Sequence, residues 1–216
     1  MSGFARIERG ELADTLVRVG PDAPTLCTGW SAADLAAHLV VRDGRPDAAL
    51  GIVVKPLAGW HEKVVASTSA RIPFADLIRK VRGGPPPWSP MRMRSLDEAV
   101  NTIEFFVHHE DLRRGVGDEP RELDPALSDA LWAQLRRGAR LMFRGAPVGV
   151  TLVRTEAKDT PRQTVVAKAA TPQMVTVSGP AGELLMFAHG RKEAARVELT
   201  GDDAAILKLR NAKLGI

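Results

Sequence analysis

Tyrosine is absent from this chain of 216 residues, and six Phe and four Trp are its whole aromatic complement. Proteins that stack single-stranded nucleic acid need a surface of aromatic rings, so such a platform is poorly supplied here. Only one cysteine is present, Cys27, which excludes a framework of internal disulfides and fits a reducing compartment. No uncharged apolar run approaches the ~20 residues that a membrane-spanning helix needs. The opening segment, Met1–Leu16, is charged and lacks the apolar centre of a secretory signal. Neither sign of charge dominates: 30 basic residues stand against 26 acidic ones, for a net charge of +4. These shortages lead us to expect a soluble, cytoplasmic monomer or homodimer that engages neither membrane nor nucleic acid.

What is present is enough for a substantial core, since 44% of the residues are hydrophobic. Phe4, Ile7, Leu12, Leu16 and Val17 fall at helical spacing, and Gly20-Pro21 ends that segment. After a loop carrying Cys27, Ser31-Ala32-Ala33-Asp34 reads as a capping box that opens a helix through His38 and Val41. A break follows near Gly44, and Pro46 can start a further helix through Val54. Residues 58–70 and 74–82 read as two shorter helices, and the proline-rich run from Gly83 to Pro90 as a loop. A second capping box, Ser95-Leu96-Asp97-Glu98, opens a helix expected to end near Gly115. Asp124-Pro125 starts another, with Leu127, Leu131, Leu135 and Met142 on its apolar face. Beyond Gly145 the pattern changes. Residues 148–154, 163–168, 174–178 and 196–200 read as strands, with helices over 179–190 and 202–213. The spacing thus predicts an α+β protein: a helical bundle over 1–145, then a small α+β domain over 146–216.

Chemistry concentrates in Glu104-Phe105-Phe106-Val107-His108-His109-Glu110-Asp111. Glu104 and His108 are one helical turn apart and so share a face, as two ligands of one metal ion do. They flank the apolar line Val100, Ile103, Val107, which turns them toward the bundle interior. A buried carboxylate beside an imidazole is costly unless it is paired or metal-bound. A histidine from a neighbouring helix would complete a three-ligand set with an open position, the arrangement of catalytic metal sites. His38 lies beside Leu35 and Leu39 and is a candidate for that role; a hydrogen-bonded core histidine is the competing reading. His109 sits about 100° around the helix from His108 and reads as a residue of the surface or one behind the ligands; it and Glu110 read as bystanders. Asp111 is placed either to orient His108 or to pair with Arg113 or Arg114. His61, in Trp60-His61-Glu62-Lys63, reads as exposed. Cys27 has no base near it in sequence and reads as a small loop or core residue, not a nucleophile. The row Arg136, Arg140, Arg144 reads as a solvated helix face.

The run Gly29-Trp30-Ser31-Ala32-Ala33-Asp34-Leu35-Ala36-Ala37-His38-Leu39 resembles the corresponding segment of the mycothiol-dependent maleylpyruvate isomerase family, an actinobacterial branch of the DinB-like bundles. Glu104 to Asp111 is similar to that family's Glu-x-x-x-His-x-x-Asp segment. The run Val175 to Leu185, with Gly190-Arg191 and Leu199-Thr200-Gly201-Asp202, looks like its small C-terminal domain. The stretch His38 to Asp47 looks like that of a metal-binding subgroup distinct from the isomerases themselves. The resemblance implies a DinB-like four-helix bundle followed by a small α/β domain. It implies His38, Glu104 and His108 as ligands of a divalent metal, zinc above all. It also implies mycothiol as a cosubstrate, a small electrophilic substrate, and Arg191 as the residue that engages an anionic part of that substrate. The activity expected is that of an isomerase or transferase; the same ligands also suit a non-catalytic metal- or ligand-binding protein.

Overall fold

The computed structural model describes residues 3–45, 47–48, 56, 58–89, 92, 94–156, 163–169 and 173–215. By its internal contacts the chain divides into two compact units, Met1–Arg121 and Glu122–Ile216. The protein is α+β, with a helical N-terminal unit and, among the described residues, eight helices and one four-stranded sheet.

The first unit is built from α1 (Phe4–Val19), α2 (Ala32–Gly44), α3 (Ala58–Arg71), α4 (Phe74–Gly83) and α5 (Arg94–Gly115). Helix α1 packs along α5, α4 lies against α1 and α2, and α3 lies against α2. Leu12, Leu16, Leu35, Leu39, Leu77, Val81, Phe105 and Leu112 meet in one buried cluster. Burying each such side chain contributes about 1.5–3 kcal/mol, which here offsets the entropy of ordering the helices. The expected capping box of α2 forms in full. Ser31 Oγ accepts from the Asp34 backbone N–H at 3.3 Å, and the Asp34 carboxylate accepts from the Ser31 N–H at 3.1 Å. Of the helix expected over 46–54 only residues 47–48 are described, and both are helical; the rest lies outside the described residues, as do the side chains of Ser95, Leu96 and Asp97 in the second capping box.

The loop between α1 and α2 is drawn onto the end of α5. The Leu26 N–H donates to the Asp111 carbonyl at 3.0 Å, and Pro24 bridges to Ser31. The approach is close enough that a Cβ on Gly115 would lie 2.4 Å from the Pro24 carbonyl oxygen, so only glycine fits there. This seats Cys27 beside α5.

The second unit comprises α6 (Pro125–Met142), β1 (Gly149–Arg154), β2 (Gln163–Lys168), β3 (Met174–Gly179), α7 (Ala181–Ala188), β4 (Glu198–Gly201) and α8 (Asp203–Asn211). The sheet order is β2-β1-β3-β4; β1 and β3 are parallel, and the outer pairs are antiparallel. In β3 the alternation is clean, with Val175 and Val177 buried and their neighbours half-buried. Helix α6 opens on Asp124, whose carboxylate accepts from the Ala126 N–H at 2.8 Å. It then packs on β2 and α7, and the Phe143 and Phe187 rings stack at 6.4 Å. The sequence reading places the division at 145; the partners of α6 place it at 121, because its apolar face is covered by the sheet's own elements.

A buried ion-pair cluster closes the first unit. Glu8 of α1 and Glu110 of α5 are each 1% exposed. Arg121, beyond α5, enters between them: Nη2 lies 2.8 Å from Glu8 Oε2 and Nε 2.7 Å from Glu110 Oε1. Its Nη1 reaches Glu11 at 2.9 Å, and Arg114 holds the other Glu110 oxygen at 2.8 Å. Burial pushes the Glu8 carboxyl up, but His109 and Arg121 outweigh it and hold it below the ordinary 4.5. Removing the cation from such a cluster leaves buried charge uncompensated. Arg121→Met is therefore expected to destabilise the protein by about 3–5 kcal/mol in urea unfolding. Because Glu8 is depressed in the folded state, its contribution is fully present above pH 4.5 and is lost as the pH falls through the lower folded value. The variant should show a smaller acid loss of stability than the parent; an equal loss would refute the role given to this cluster.

Candidate metal centre

Two helices of the first unit supply the centre. Helix α5 presents Glu104 and His108 one turn apart, and α2 presents His38. Glu104 Oε1 lies 3.3 Å from His38 Nε2, 3.2 Å from His108 Nε2 and 3.2 Å from Arg42 Nε. One ligand atom from each of His38, Glu104 and His108 lies within 4.8 Å of the other two. The two histidine rings meet edge to face, 5.0 Å between centroids. His38 is 5% exposed and His108 9%, while the Glu104 side chain is 24% exposed, so the centre opens to solvent past its carboxylate.

Outer groups hold both imidazoles. His108 Nδ1 lies 3.0 Å from Asp111 Oδ2. A carboxylate only accepts, so Nδ1 carries the hydrogen and Nε2 is the nitrogen turned to Glu104. The Cys27 thiol donates to the same Asp111 oxygen at 3.2 Å, and Cys27, His108 and Asp111 form a second convergent group. His38 Nδ1 lies 3.0 Å from His61 Nε2, and His61 Nδ1 lies 3.1 Å from the Ala48 carbonyl oxygen. The Trp30 ring leans on His38 at 5.0 Å.

This setting fixes the charges. Burial pushes Glu104 up, but Arg42 and His108 outweigh it and hold the carboxyl well below 4.5, so it is ionised. Burial pushes His38 down to about 4, against the pull of Glu104, so it is neutral. Burial also opposes charge on His108, but Asp111, Cys27 and Glu104 outweigh it and raise the imidazole well above 6.5. With protein groups alone, a proton on His108 therefore neutralises Glu104. Two imidazole nitrogens and a carboxylate oxygen are a donor set that fits a divalent ion of intermediate softness, with positions left open.

His38, Glu104, His108 and Asp111 are brought together, with Asp111 on His108 Nδ1; the Arg113 and Arg114 side chains pair with Glu110. Arg191 belongs to the second unit, where its guanidinium donates to the His189 carbonyl at 2.7 Å. The exposed row Arg136, Arg140, Arg144 is a solvated face. Three expectations are corrected. His61 is 6% exposed, because the apolar spacing it shares with Val64 and Val65 turns it inward. His109 is 2% exposed and meets Thr15 Oγ1 at 2.9 Å, because the far side of α5 is covered by α1. Glu110 stands clear of the centre, as a bystander does, and is buried in the ion-pair cluster. Val100, expected on the inward apolar line, is 38% exposed. The sequence reading missed Arg42, Cys27 and Trp30. Arg42 was legible, since it follows His38 by one turn. Cys27 was not, because it is 84 residues from its partner Asp111.

Comparison with known proteins yields a fold and no sequence family. No protein-family model matches the chain, and no curated protein matches it in sequence. Two crystal structures share its fold, the mycothiol-dependent maleylpyruvate isomerase and a histidine-to-alanine mutant of it. Each match covers 91% of this chain and 90% of the isomerase chain at 16% identity, with TM-scores of 0.54 and 0.57, the latter for the mutant. No helix among the described residues is long and apolar enough to cross a membrane.

In metal-free protein, the His108 ring followed by NMR should titrate with a midpoint above 6.5, and Asp111→Asn should lower that midpoint. A raised folded-state value means the His108 contribution to stability is complete below pH 6.5 and fades as the pH rises through the folded midpoint. A midpoint that Asp111→Asn leaves in place would refute the orienting role of Asp111.

Proposed function

We propose that this chain is a divalent-metal- and thiol-dependent isomerase or transferase, related to the mycothiol-dependent maleylpyruvate isomerases and acting on a small electrophilic substrate in the cytoplasm. One observation carries this reading. His38 Nε2, Glu104 Oε1 and His108 Nε2 converge in the fold those isomerases share. The low identity argues for a different substrate on the same scaffold.

His38, Glu104 and His108 would hold the ion, and a set of two nitrogens and one oxygen favours zinc. When bound, such an ion supplies a Lewis acid beside which a thiol, that of mycothiol in this proposal, stays deprotonated at neutral pH. Asp111 holds the Nδ1 hydrogen of His108, which keeps Nε2 directed inward. Arg42 shares the charge of Glu104 and fixes the carboxylate between the two rings. The proton that His108 carries in the metal-free protein is released when the ligand set is filled, so uptake releases acid. Cys27 donates to Asp111 and supports the ligand; it is not the nucleophile. Arg191 is assigned to an anionic portion of the substrate.

Purified protein is expected to carry about one divalent ion per chain, and the His38→Ala/His108→Ala double variant none. Mycothiol should bind in calorimetry only to the metal-loaded protein. Arg191→Ala should keep its metal and thiol binding while losing affinity for anionic electrophiles. Protein devoid of metal, with a double variant unchanged in stability and activity, would end this reading. Metal without thiol binding would leave a non-catalytic metal-binding protein.

A further inference from the structure

We infer that His61 decides which nitrogen of His38 carries the hydrogen, leaving the lone pair on the Nε2 that faces the metal centre, through a directional chain of hydrogen bonds that starts at the Ala48 carbonyl. Its relevance to a metal rests on the reading of His38 as a ligand, but the chain itself does not. A carbonyl oxygen has lone pairs only, so His61 Nδ1, 3.1 Å away, carries a hydrogen and donates. A neutral imidazole has one such hydrogen. His61 Nε2 is therefore an acceptor, and its partner at 3.0 Å, His38 Nδ1, is the donor. His38 in turn has spent its one hydrogen. Its Nε2 is left with a lone pair, 3.3 Å from the Glu104 carboxylate oxygen.

Burial makes this direction binding. Ala48 is fully buried, His61 is 6% exposed and His38 5%, so water is a poor substitute partner for any member. With the hydrogen of His38 on Nε2 instead, Nε2 would donate to Glu104. Two lone pairs would then face each other between His38 and His61, unless His61 gave up Ala48. Such a pair is left unsatisfied where little water can reach it, and each group bears the full cost of its lost partner. The sequence therefore sets His38 in the tautomer that is poor for bonding a carboxylate and right for bonding a cation. His61 reaches the centre only through His38 and is a positioning residue.

Long-range nitrogen–proton NMR of the metal-free full-length protein at neutral pH tests this directly. Wild-type His38 is expected as the Nδ1–H tautomer, and so is His61→Gln, whose amide oxygen can accept in place of Nε2. His61→Leu, which fills space without accepting, should turn His38 to the Nε2–H form. Zinc affinity, measured by competition with a chelator, should fall roughly 10–100-fold in His61→Leu and return to within a few-fold of wild type in His61→Gln. An Nε2–H tautomer in wild type overturns the inference, and so does an Nδ1–H tautomer that survives in His61→Leu. Should His61→Leu fail to fold, the wild-type spectrum still decides. If the tautomers are as expected and no variant binds zinc, the reading of His38 as a metal ligand fails while the hydrogen-bond direction stands.

Discussion

Glu104 is an ionised carboxylate on α5, set between the buried imidazoles of His38 from α2 and His108 from α5. Charge in such a place is tolerated only when something answers it. Arg42 answers in part, from one turn beyond His38 on the same helix. The rest falls to whatever sits between Glu104 and the two Nε2 atoms, a proton on His108 or a metal ion. The burial of His38, the anchoring of His108 by Asp111 and the loop that brings Cys27 to Asp111 all make sense as the enclosure of that one unmet charge. The enclosure is incomplete on the carboxylate's side, where the Glu104 side chain is partly exposed.

Helix α5 performs two tasks by rotation alone. Successive residues turn by about 100°, so neighbours in sequence face different partners. His108 faces the centre, while His109 meets Thr15 and Glu8 on α1. Glu110 joins Arg114 and Arg121, and Asp111 returns to His108 and Cys27. The ion-pair cluster on one side holds α5 against α1, and that fixed helix gives the centre on the other side its geometry. Rigid supporting elements of this kind are what a constellation of polar side chains needs to keep its distances.

Much of this was legible where the cause is local. The capping box at Ser31, the Asp124-Pro125 start of α6, the end of α5 at Gly115 and the alternation of β3 follow from a few adjacent residues, and each forms as expected. The spacing of Glu104 and His108 is local too. What stayed hidden depends on what lies opposite. The helical wheel put His109 and Glu110 away from His108, which holds, but it could not tell whether that far side met water or another helix. The charged neighbours of His61 suggested solvent, and Trp60 is indeed half-exposed, yet a rotation of one residue takes His61 inside. The apolar face of α6 suited a bundle as well as a sheet, so the boundary between units could not be read from α6 alone. Cys27 reaches the site through a backbone hydrogen bond that has no side-chain signature.

The pairing of α1 with α5 has a consequence for how the centre comes into being. The first and last described helices of this unit are neighbours, and Arg121, which ties them, lies 113 residues beyond Glu8. His38 and Glu104 are separated by 66 residues. Loops of that length close late, because their entropy is lost before any contact repays it. During synthesis α2 therefore waits with His38 in hand until α5 has emerged. The polar cluster around Glu104 then forms at one stroke as the ends of the unit meet, so it marks a finished fold instead of guiding an unfinished one.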